Sequence, residues 1–385
     1  MKYPISLLPL LAAIGCHATS RPPAARPDAA DPDVDAAVVE PRDADPDRPT
    51  PAPEAASPRT EADAPPAPAP EPASDAAPPS AARRMVDALS LASFRQNMRE
   101  VSAFGDRAEG SPRYDSAAAW LERQLAAAGY TVEHHDYTFQ GGPRRNFFVT
   151  KVSGQAPDRM YIVASHLDGR GGGGAFDDNG SGVSLVLELA RAFAPATVET
   201  DVSLRFAFFD NEETGMNGSG AYVKDRAALQ GREDPPGSHQ FPEPRWLGMI
   251  QHDMLLYDHG MPPGPTQSPS ADIDIEYQVS SRLAPLSGML ADTFAAGSHT
   301  YGRDYPVQIG LNMRGTDSTS FQEFAPSISM RENQRAAEIE QGSNPNHHMP
   351  SDVESSYSEA DFHLGFTIVR TTMGTMADLV GARLK

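Results

Sequence analysis

The 385-residue chain carries 52 acidic and 32 basic residues, which gives a formal net charge of −20 at pH 7. A chain this acidic is repelled by nucleic acid and by anionic lipid surfaces, so neither is predicted as an electrostatic partner. The single cysteine excludes an intrachain disulfide, and the fold must therefore be stabilised by its own core.

The amino terminus has the layout of an export signal. Lys2 precedes an apolar run from Ile5 to Ile14, which is short for a membrane-spanning helix. The stretch A-I-G-C, which ends at Cys16, resembles the lipobox of bacterial lipoproteins. Residues 1–16 are therefore predicted to be a signal peptide. The protein is predicted to be exported and anchored to a membrane through a lipid on Cys16. The alternative is that it is periplasmic or secreted without an anchor.

The composition changes abruptly after this signal. Residues 20–83 hold 17 of the 36 prolines and no aromatic residue. Such a segment buries too little apolar surface to offset its chain entropy. Residues 17–84 are therefore predicted to be a disordered tether rich in Pro, Ala and Asp. The function is assigned to residues 85–385, about 300 residues, which suffice for one α/β domain.

The remaining part of the chain predicts helices that alternate with strands. Helical patterns cover residues 86–104, 181–194, 217–230 and 358–382. Two strands flank a turn at 141–143, and the apolar runs MYIVASHLD, SLRFAFFDNEE and LGMIQHDM predict central strands. The alternation predicts a mostly parallel sheet that is covered by helices on both faces. Ligands of such sheets bind beyond the carboxyl ends of the strands.

Histidines and acidic residues follow these central strands. They recur in two motifs, the glycine-rich AFDDNGSG and the histidine-containing NHHMPSD. In AFDDNGSG two adjacent acids would repel each other unless a cation lay beside them. The full set is His166, Asp168, Asp178, Glu212, Glu213, Asp253 and His348. Imidazole and carboxylate are the ligands expected for zinc, and five protein ligands with one shared acid suit a pair of ions.

Four blocks resemble, in this order, those of the M28 family of zinc peptidases: GAFDDNGSGVSLVLELARAFA, FFDNEETGMNGSGAYV, IQHDM and NHHMPSDV. The similarity extends over nearly all of residues 90–380. The resemblance implies a co-catalytic metallo-aminopeptidase that acts on peptides. It also implies a three-layer α/β/α sandwich around a mixed, mostly parallel sheet of about eight strands.

Transferred to this sequence, the family pattern implies two Zn²⁺ per chain. His166, Asp178 and Asp253 would bind one ion, and Glu213, His348 and again Asp178 would bind the other. The peptide bond after Asp178 would be cis.

The same pattern assigns two further acids to the reaction. Glu212 would be the general base, which takes a proton from a metal-bound water and passes it to the leaving amine. Asp168 would orient the ring of His166 and raise its basicity.

Some assignments leave alternatives. His347 competes with His348 for one ligand position, and Asp177 is interpreted as a solvent-facing or supporting acid. Asp317 lies where relatives have Ser-Asp-His, but Ser318 follows it here, so a helix-capping role is favoured. The other histidines are interpreted as structural or exposed: His134, His135, His239, His252, His259, His299 and His363.

Three alternatives remain for the function. A glutaminyl cyclase shares the fold and much of the site, but it uses a single zinc to cyclise amino-terminal Gln. A carboxypeptidase or dipeptidase would use the same metal chemistry. A surface-binding lipoprotein without catalysis would normally have lost a ligand, and none is missing from the pattern. The oligomeric state is not predicted.

Overall fold

The computed structural model describes residues 78–258, 272–333 and 343–385. The predicted signal peptide, Cys16, residues 17–77 of the predicted tether and His259 lie outside the described residues. The predicted end of the tether at residue 84 is wrong, because a helix already begins at Ala81. Ser80 caps that helix, and the buried side chains of Met85 and Val86 hold it against the body of the fold.

The α-helices of the described residues are, in chain order, α1 (Ala81–Asp87), α2 (Leu91–Ser102), α3 (Pro112–Ala127), α4 (Gly180–Ala192), α5 (Asn217–Arg226), α6 (Ala284–Gly297), α7 (Ser318–Phe321) and α8 (Glu359–Leu379). The single helix predicted over 86–104 is therefore two helices. The break has a local cause, because the Ser90 side chain accepts a hydrogen bond from the Ser93 amide at 3.3 Å and caps α2.

The strands are β1 (Glu133–Phe139), β2 (Gly142–Lys151), β3 (Ala156–His166), β4 (Val198–Glu199), β5 (Val202–Phe209), β6 (Arg245–His252), β7 (Ile273–Glu276), β8 (Val307–Gly310), β9 (Ser327–Glu332) and β10 (Arg383–Leu384). Within the described ranges, β4 and β10 form a small separate pair. The other eight strands form one sheet in the order β1-β2-β5-β3-β6-β9-β7-β8.

The predicted mixed, mostly parallel sheet is confirmed. The pairings β5-β3, β3-β6, β6-β9 and β7-β8 are parallel, and β1-β2, β2-β5 and β9-β7 are antiparallel. Neighbouring residues of β3 point to opposite faces, so that Val163 joins one apolar cluster and Ile162 joins the other. The larger cluster includes side chains of α2, α4 and α8, and the smaller includes those of α5 and α7. Helices thus cover both faces, as an α/β sandwich requires.

The fold brings three strand ends together. Strands β5, β3 and β6 are adjacent and parallel at the centre of the sheet, with His166 paired to Phe209 across β3 and β5. Their carboxyl ends therefore form one edge, which is where a parallel sheet binds its ligands. In the part of the chain that the structure describes, no helix is long and apolar enough to cross a membrane.

Candidate metal centre

A first group of possible metal ligands lies at this edge of the sheet. His166 is the last residue of β3, and Asp253 follows the end of β6. The Nε2 atom of His166 lies 3.5 Å from Oδ1 of Asp178 and 3.4 Å from Oδ1 of Asp253. All three side chains are buried. Their ligand atoms are close enough to one another to hold a single ion.

A second group uses the other oxygen of the same aspartate. Oδ2 of Asp178 lies 3.1 Å from Nε2 of His348 and 3.4 Å from Nε2 of His347. Oε2 of Glu213 lies 2.7 Å from Nε2 of His348. Asp178 therefore faces one group with each carboxylate oxygen, as a carboxylate shared by two ions would. Within the described residues two clusters have the spacing of a metal site, His166–Asp178–Asp253 and Asp178–His347–His348, and Glu213 adjoins the second through its contact with His348.

The donor chemistry fits zinc. Both groups combine imidazole nitrogen with carboxylate oxygen, which is the usual ligand set of Zn²⁺. The Glu213 side chain is 4% exposed, and its Oε1 atom is buried and makes no hydrogen bond within the described residues. Burial, and then repulsion by Asp178, raise the pKa of Glu213 to about 7. A cation placed between these acids would satisfy the buried oxygen and remove the repulsion.

The turn that carries Asp178 is held by close contacts. The Asp178–Asn179 peptide bond is cis, as the resemblance implied. Asn179 accepts a hydrogen bond from the Gly182 amide and donates one to the carbonyl of His252 at 2.9 Å. A Cβ atom at Gly182 would lie 2.2 Å from Oδ1 of Asn179, so only glycine allows helix α4 to begin here.

Asp168 contacts both the His166 ring and the turn of the two glutamates. The Nδ1 atom of His166 lies 3.0 Å from the backbone carbonyl of Asp168 but 3.6 Å from its carboxylate. The carbonyl therefore orients the ring and directs Nε2 towards Asp178 and Asp253. The Asp168 carboxylate instead accepts hydrogen bonds from the amides of Glu212 and Glu213, both at 3.1 Å. It fixes the turn that carries the two glutamates.

Glu212 lies in the same cleft as both groups. Its side chain is partly exposed, and the hydrogen bond to Asp168 fixes its backbone. Burial raises the pKa of its carboxyl well above the usual value, and the charges of Asp253 and Asp317 add to that shift against the opposing His166. Glu212 thus combines the position and the raised pKa of an acid–base group.

Asp352 is a positioning residue that the ligand pattern did not identify. Its carboxylate accepts hydrogen bonds from the amides of Asp177 at 2.9 Å and of Asp178 at 3.1 Å. The Tyr357 hydroxyl donates to the same carboxylate at 2.8 Å. Because Asp352 lies four residues after His348, it ties the second histidine segment to the turn that carries the shared acid. The only sequence signal was that spacing of four.

Asp177 is buried, so its interpretation as a solvent-facing acid is wrong. Its carboxylate accepts hydrogen bonds from the amides of Leu255 at 2.8 Å and Leu256 at 3.1 Å, and from the Asn344 side chain at 2.9 Å. These bonds hold the segment that follows Asp253 against the turn of Asp178. Asp177 therefore acts as a structural support, and of the two adjacent acids only Asp178 faces the metal groups.

Arg107 supports the loop between His166 and Asp178. The fully buried guanidinium donates to the backbone carbonyls of Leu167 at 2.8 Å, Gly174 at 2.8 Å and Ala175 at 2.9 Å. Burial lowers its pKa to about 10, which still leaves it charged at neutral pH. No local motif marks this role, because the three loop carbonyls lie at least 60 positions further along the chain.

The predicted capping role of Asp317 is wrong. Asp317 precedes α7, but its side chain makes no capping hydrogen bond. The carboxylate instead points into the core, where it accepts a hydrogen bond from the Gln251 side chain at 3.2 Å. Burial raises its pKa to about 7. Of the other predicted structural or exposed histidines within the described residues, His299 is exposed, and the rest have partners away from the site, such as Asp225 for His135 and Thr372 for His252.

Gly171 offers a test of the His348 position. Gly171 has a φ of +94°, and a Cβ atom there would lie 2.5 Å from the backbone of His348. We expect Gly171→Ala to displace His348 and to lower zinc affinity by about 10- to 100-fold. Gly172→Ala is the matched control, because Gly172 also has a positive φ, +77°, but its Cβ would meet nothing within 4 Å. Equal zinc affinities of the two variants, measured by chelator competition, would contradict this account.

Zinc binding should release protons. Burial opposes protonation of His348, but hydrogen bonds to Asp178 and Glu213 outweigh it and raise the pKa to about 9. His348 is therefore protonated at pH 7 without metal, and its proton must leave before the ring can bind zinc. Affinity should fall as the pH decreases from 9 to 6.

Calorimetry in buffers of different ionisation enthalpy measures this release. We expect His348→Ala to lower the number of protons released at pH 7. His347→Ala is the control, because burial lowers the pKa of His347 and its ring is already neutral. Identical proton release by the wild type and His348→Ala would contradict the expectation.

Comparison with known proteins identifies the family. A model of peptidase family M28 matches residues 148–368, so the chain belongs to peptidase family M28. The chain is 31% identical to leupeptin-inactivating enzyme 1 of Streptomyces exfoliatus over 147 residues, which are 37% of this chain and 33% of that protein. It is 42% identical to aminopeptidase YwaD of Bacillus subtilis over 67 residues, 17% of this chain and 14% of that one. The matches thus span a third or less of these two relatives.

Solved structures show the same fold. The LapA aminopeptidase of Legionella pneumophila matches with a TM-score of 0.60 at 16% identity, over 78% of this chain and 74% of that one. Glutaminyl cyclase of Porphyromonas gingivalis matches with a TM-score of 0.57 at 19% identity, over 76% of this chain and 99% of that one. At these identities the likeness concerns the fold alone.

Proposed function

We propose that the chain is a dinuclear zinc exopeptidase that removes amino-terminal residues from peptides. The observation that carries the proposal is the position of Asp178, whose two carboxylate oxygens face two separate imidazole-containing groups. One shared carboxylate between two ligand groups is the arrangement that a two-metal hydrolase needs. The names of the relatives, which include aminopeptidases, also support it.

Five residues would hold the ions. The first ion would be bound by His166, Asp178 and Asp253, and the second by Asp178, Glu213 and His348. His347, whose Nε2 lies 3.4 Å from Asp178, remains the alternative to His348. When bound, the zinc pair would supply Lewis acidity towards the scissile carbonyl and lower the pKa of a bound water.

The remaining chemistry would fall to Glu212. It would take the proton of the attacking water and donate it to the leaving amine, a role that needs a carboxylate with a pKa near the working pH. Asp168 would keep Glu212 in place through the hydrogen bond to its amide. The Asp168 carbonyl would keep the His166 ring oriented towards the carboxylates.

A second candidate is a glutaminyl cyclase that uses one zinc ion. The Porphyromonas gingivalis cyclase shares the fold over 99% of its length, so the fold is compatible with this activity. Two ligand groups around Asp178 favour the peptidase, because a single ion would leave one of them without a metal.

The test is hydrolysis of a panel of aminoacyl-p-nitroanilides by the full chain, before and after chelation and zinc readdition. Metal-dependent release of nitroaniline would support the aminopeptidase. Inactivity towards the whole panel would contradict it. In that case amino-terminal Gln cyclisation, dipeptides and carboxyl-terminal substrates would distinguish a cyclase, a dipeptidase and a carboxypeptidase.

We also propose that the protein is exported and anchored through a lipid on Cys16. The apolar run before A-I-G-C supports this. We expect Cys16→Ala to move the protein from the membrane fraction to the soluble fraction of expressing bacteria. Equal distribution of the wild type and the variant would contradict the anchor.

A further inference from the structure

Arg331 lies in the wall of the cleft that contains the candidate metal centre. Besides six of the acids and histidines described above, this cleft is lined by Gly215, Met216, Met254, Gly315 and Arg331. Arg331 is the only cationic side chain among these lining residues that stays charged at every physiological pH. A guanidinium beside a catalytic centre is available to contact a bound substrate.

The fold holds Arg331 in place. It belongs to β9, is 6% exposed, and donates a hydrogen bond from Nη2 to Oε2 of Glu276 at 2.6 Å. Glu276, on the adjacent β7, is completely buried. A guanidinium has five N–H donors, and this bond uses one of them. Because Arg331 also lines the cleft, its other donors can serve a bound molecule. Glu276 balances its charge together with Asp253 and Asp274, so the arginine is stable there without a substrate.

The residues of the cleft wall indicate which amino-terminal side chain fits the cleft. The side chain of the amino-terminal residue branches from the Cα atom, which is bonded directly to the scissile carbonyl carbon. This side chain must therefore occupy the part of the cleft beside the metal groups. There the partly exposed Met216 offers an apolar, adaptable contact for methylene groups. Arg331 offers donors in a planar fork, which matches a carboxyl or carboxamide group.

We propose that Arg331 makes the enzyme selective for amino-terminal residues whose side chain ends in a carboxyl or carboxamide oxygen, namely Glu or Gln. The proposal rests on the aminopeptidase function proposed above. The two methylenes of such a side chain would pack against Met216, and its terminal oxygen would accept hydrogen bonds from Arg331. An apolar side chain of equal length would leave those donors without a partner, which costs binding energy.

The test compares kcat/KM for the p-nitroanilides of Glu, Gln, Met and Leu, using the full chain with zinc. Met matches Gln and Glu in length but lacks the acceptor. We expect Glu or Gln to exceed Met by at least about 10-fold. A higher value for Glu than for Gln identifies a carboxylate as the preferred group, and the reverse identifies a carboxamide.

The variant is Arg331→Met combined with Glu276→Gln, which removes both charges of the buried Arg331–Glu276 pair together. We expect its ratio of Glu or Gln to Met to fall to about one, while its zinc content equals that of the wild type. Arg331→Lys keeps the positive charge but lacks the planar guanidinium. Its ratio of Glu or Gln to Met should lie between those of the wild type and the double variant.

Two results would overturn the assignment of Arg331: faster hydrolysis of Met and Leu than of Glu and Gln by the wild type, or an unchanged ratio in the double variant. In both cases the aminopeptidase itself would stand. Inactivity of the zinc-loaded wild type towards all four anilides would overturn both proposals, and this outcome is distinct from the other two.

Discussion

Replacement of Glu212 by Gln should lower kcat by about 10²- to 10⁴-fold while the zinc content stays unchanged. Gln has the same shape as Glu, but it cannot take a proton. Glu212 is not part of either ligand group, because the glutamate that contacts His348 is Glu213. The two measurements are the rate of anilide hydrolysis and the metal content of the dialysed protein.

The adjacent glutamate provides the matched comparison. Glu213→Gln changes the same chemical group one residue later, but it removes a charge from the second ligand group and should lower the zinc content. Zinc loss in Glu212→Gln, or full activity of that variant, would contradict the assigned division of roles between the two acids.

Asp178→Ala should weaken the binding of both ions, by more than the 10- to 100-fold that is typical of residues which only support a ligand. The physical reason is that Asp178 contributes one oxygen to each group, 3.5 Å from His166 and 3.1 Å from His348. Loss of this carboxylate therefore disrupts two sites at once. Mass spectrometry of the native protein measures the number of ions that remain.

Single-site variants serve as controls for Asp178. Asp253→Ala removes a ligand from the first group and His348→Ala removes one from the second, so each should retain about one zinc ion. If Asp178→Ala retained one ion as firmly as these variants do, Asp178 would not be shared between two metals.

The sequence predicted most of the sheet and the candidate ligands, because both depend on local patterns. Long apolar runs that end in His166 or Asp253 predict buried strands with ligands at their ends, and parallel strands bring those ends to one edge. The break between α1 and α2 was not predicted. The helical pattern continues on both sides of Ser90, although the side chain of this residue caps the start of α2.

Residues that act through distant contacts could not be predicted in this way. Arg107 and Arg331 have no local signal, and Asp352 has only its spacing of four residues from His348, since each depends on partners in other elements. Asp317 was misinterpreted for a related reason. A short polar side chain before a helix usually caps it, but here the hydrogen bond to Gln251 on β6 directs the carboxylate into the core.

The number of zinc ions per chain distinguishes a dinuclear from a mononuclear enzyme. Protein that has been reconstituted with zinc and freed of excess ion would be analysed by native mass spectrometry and elemental analysis. The account predicts two zinc ions per chain. One zinc ion per chain at full occupancy would contradict the dinuclear peptidase and would favour the mono-zinc cyclase.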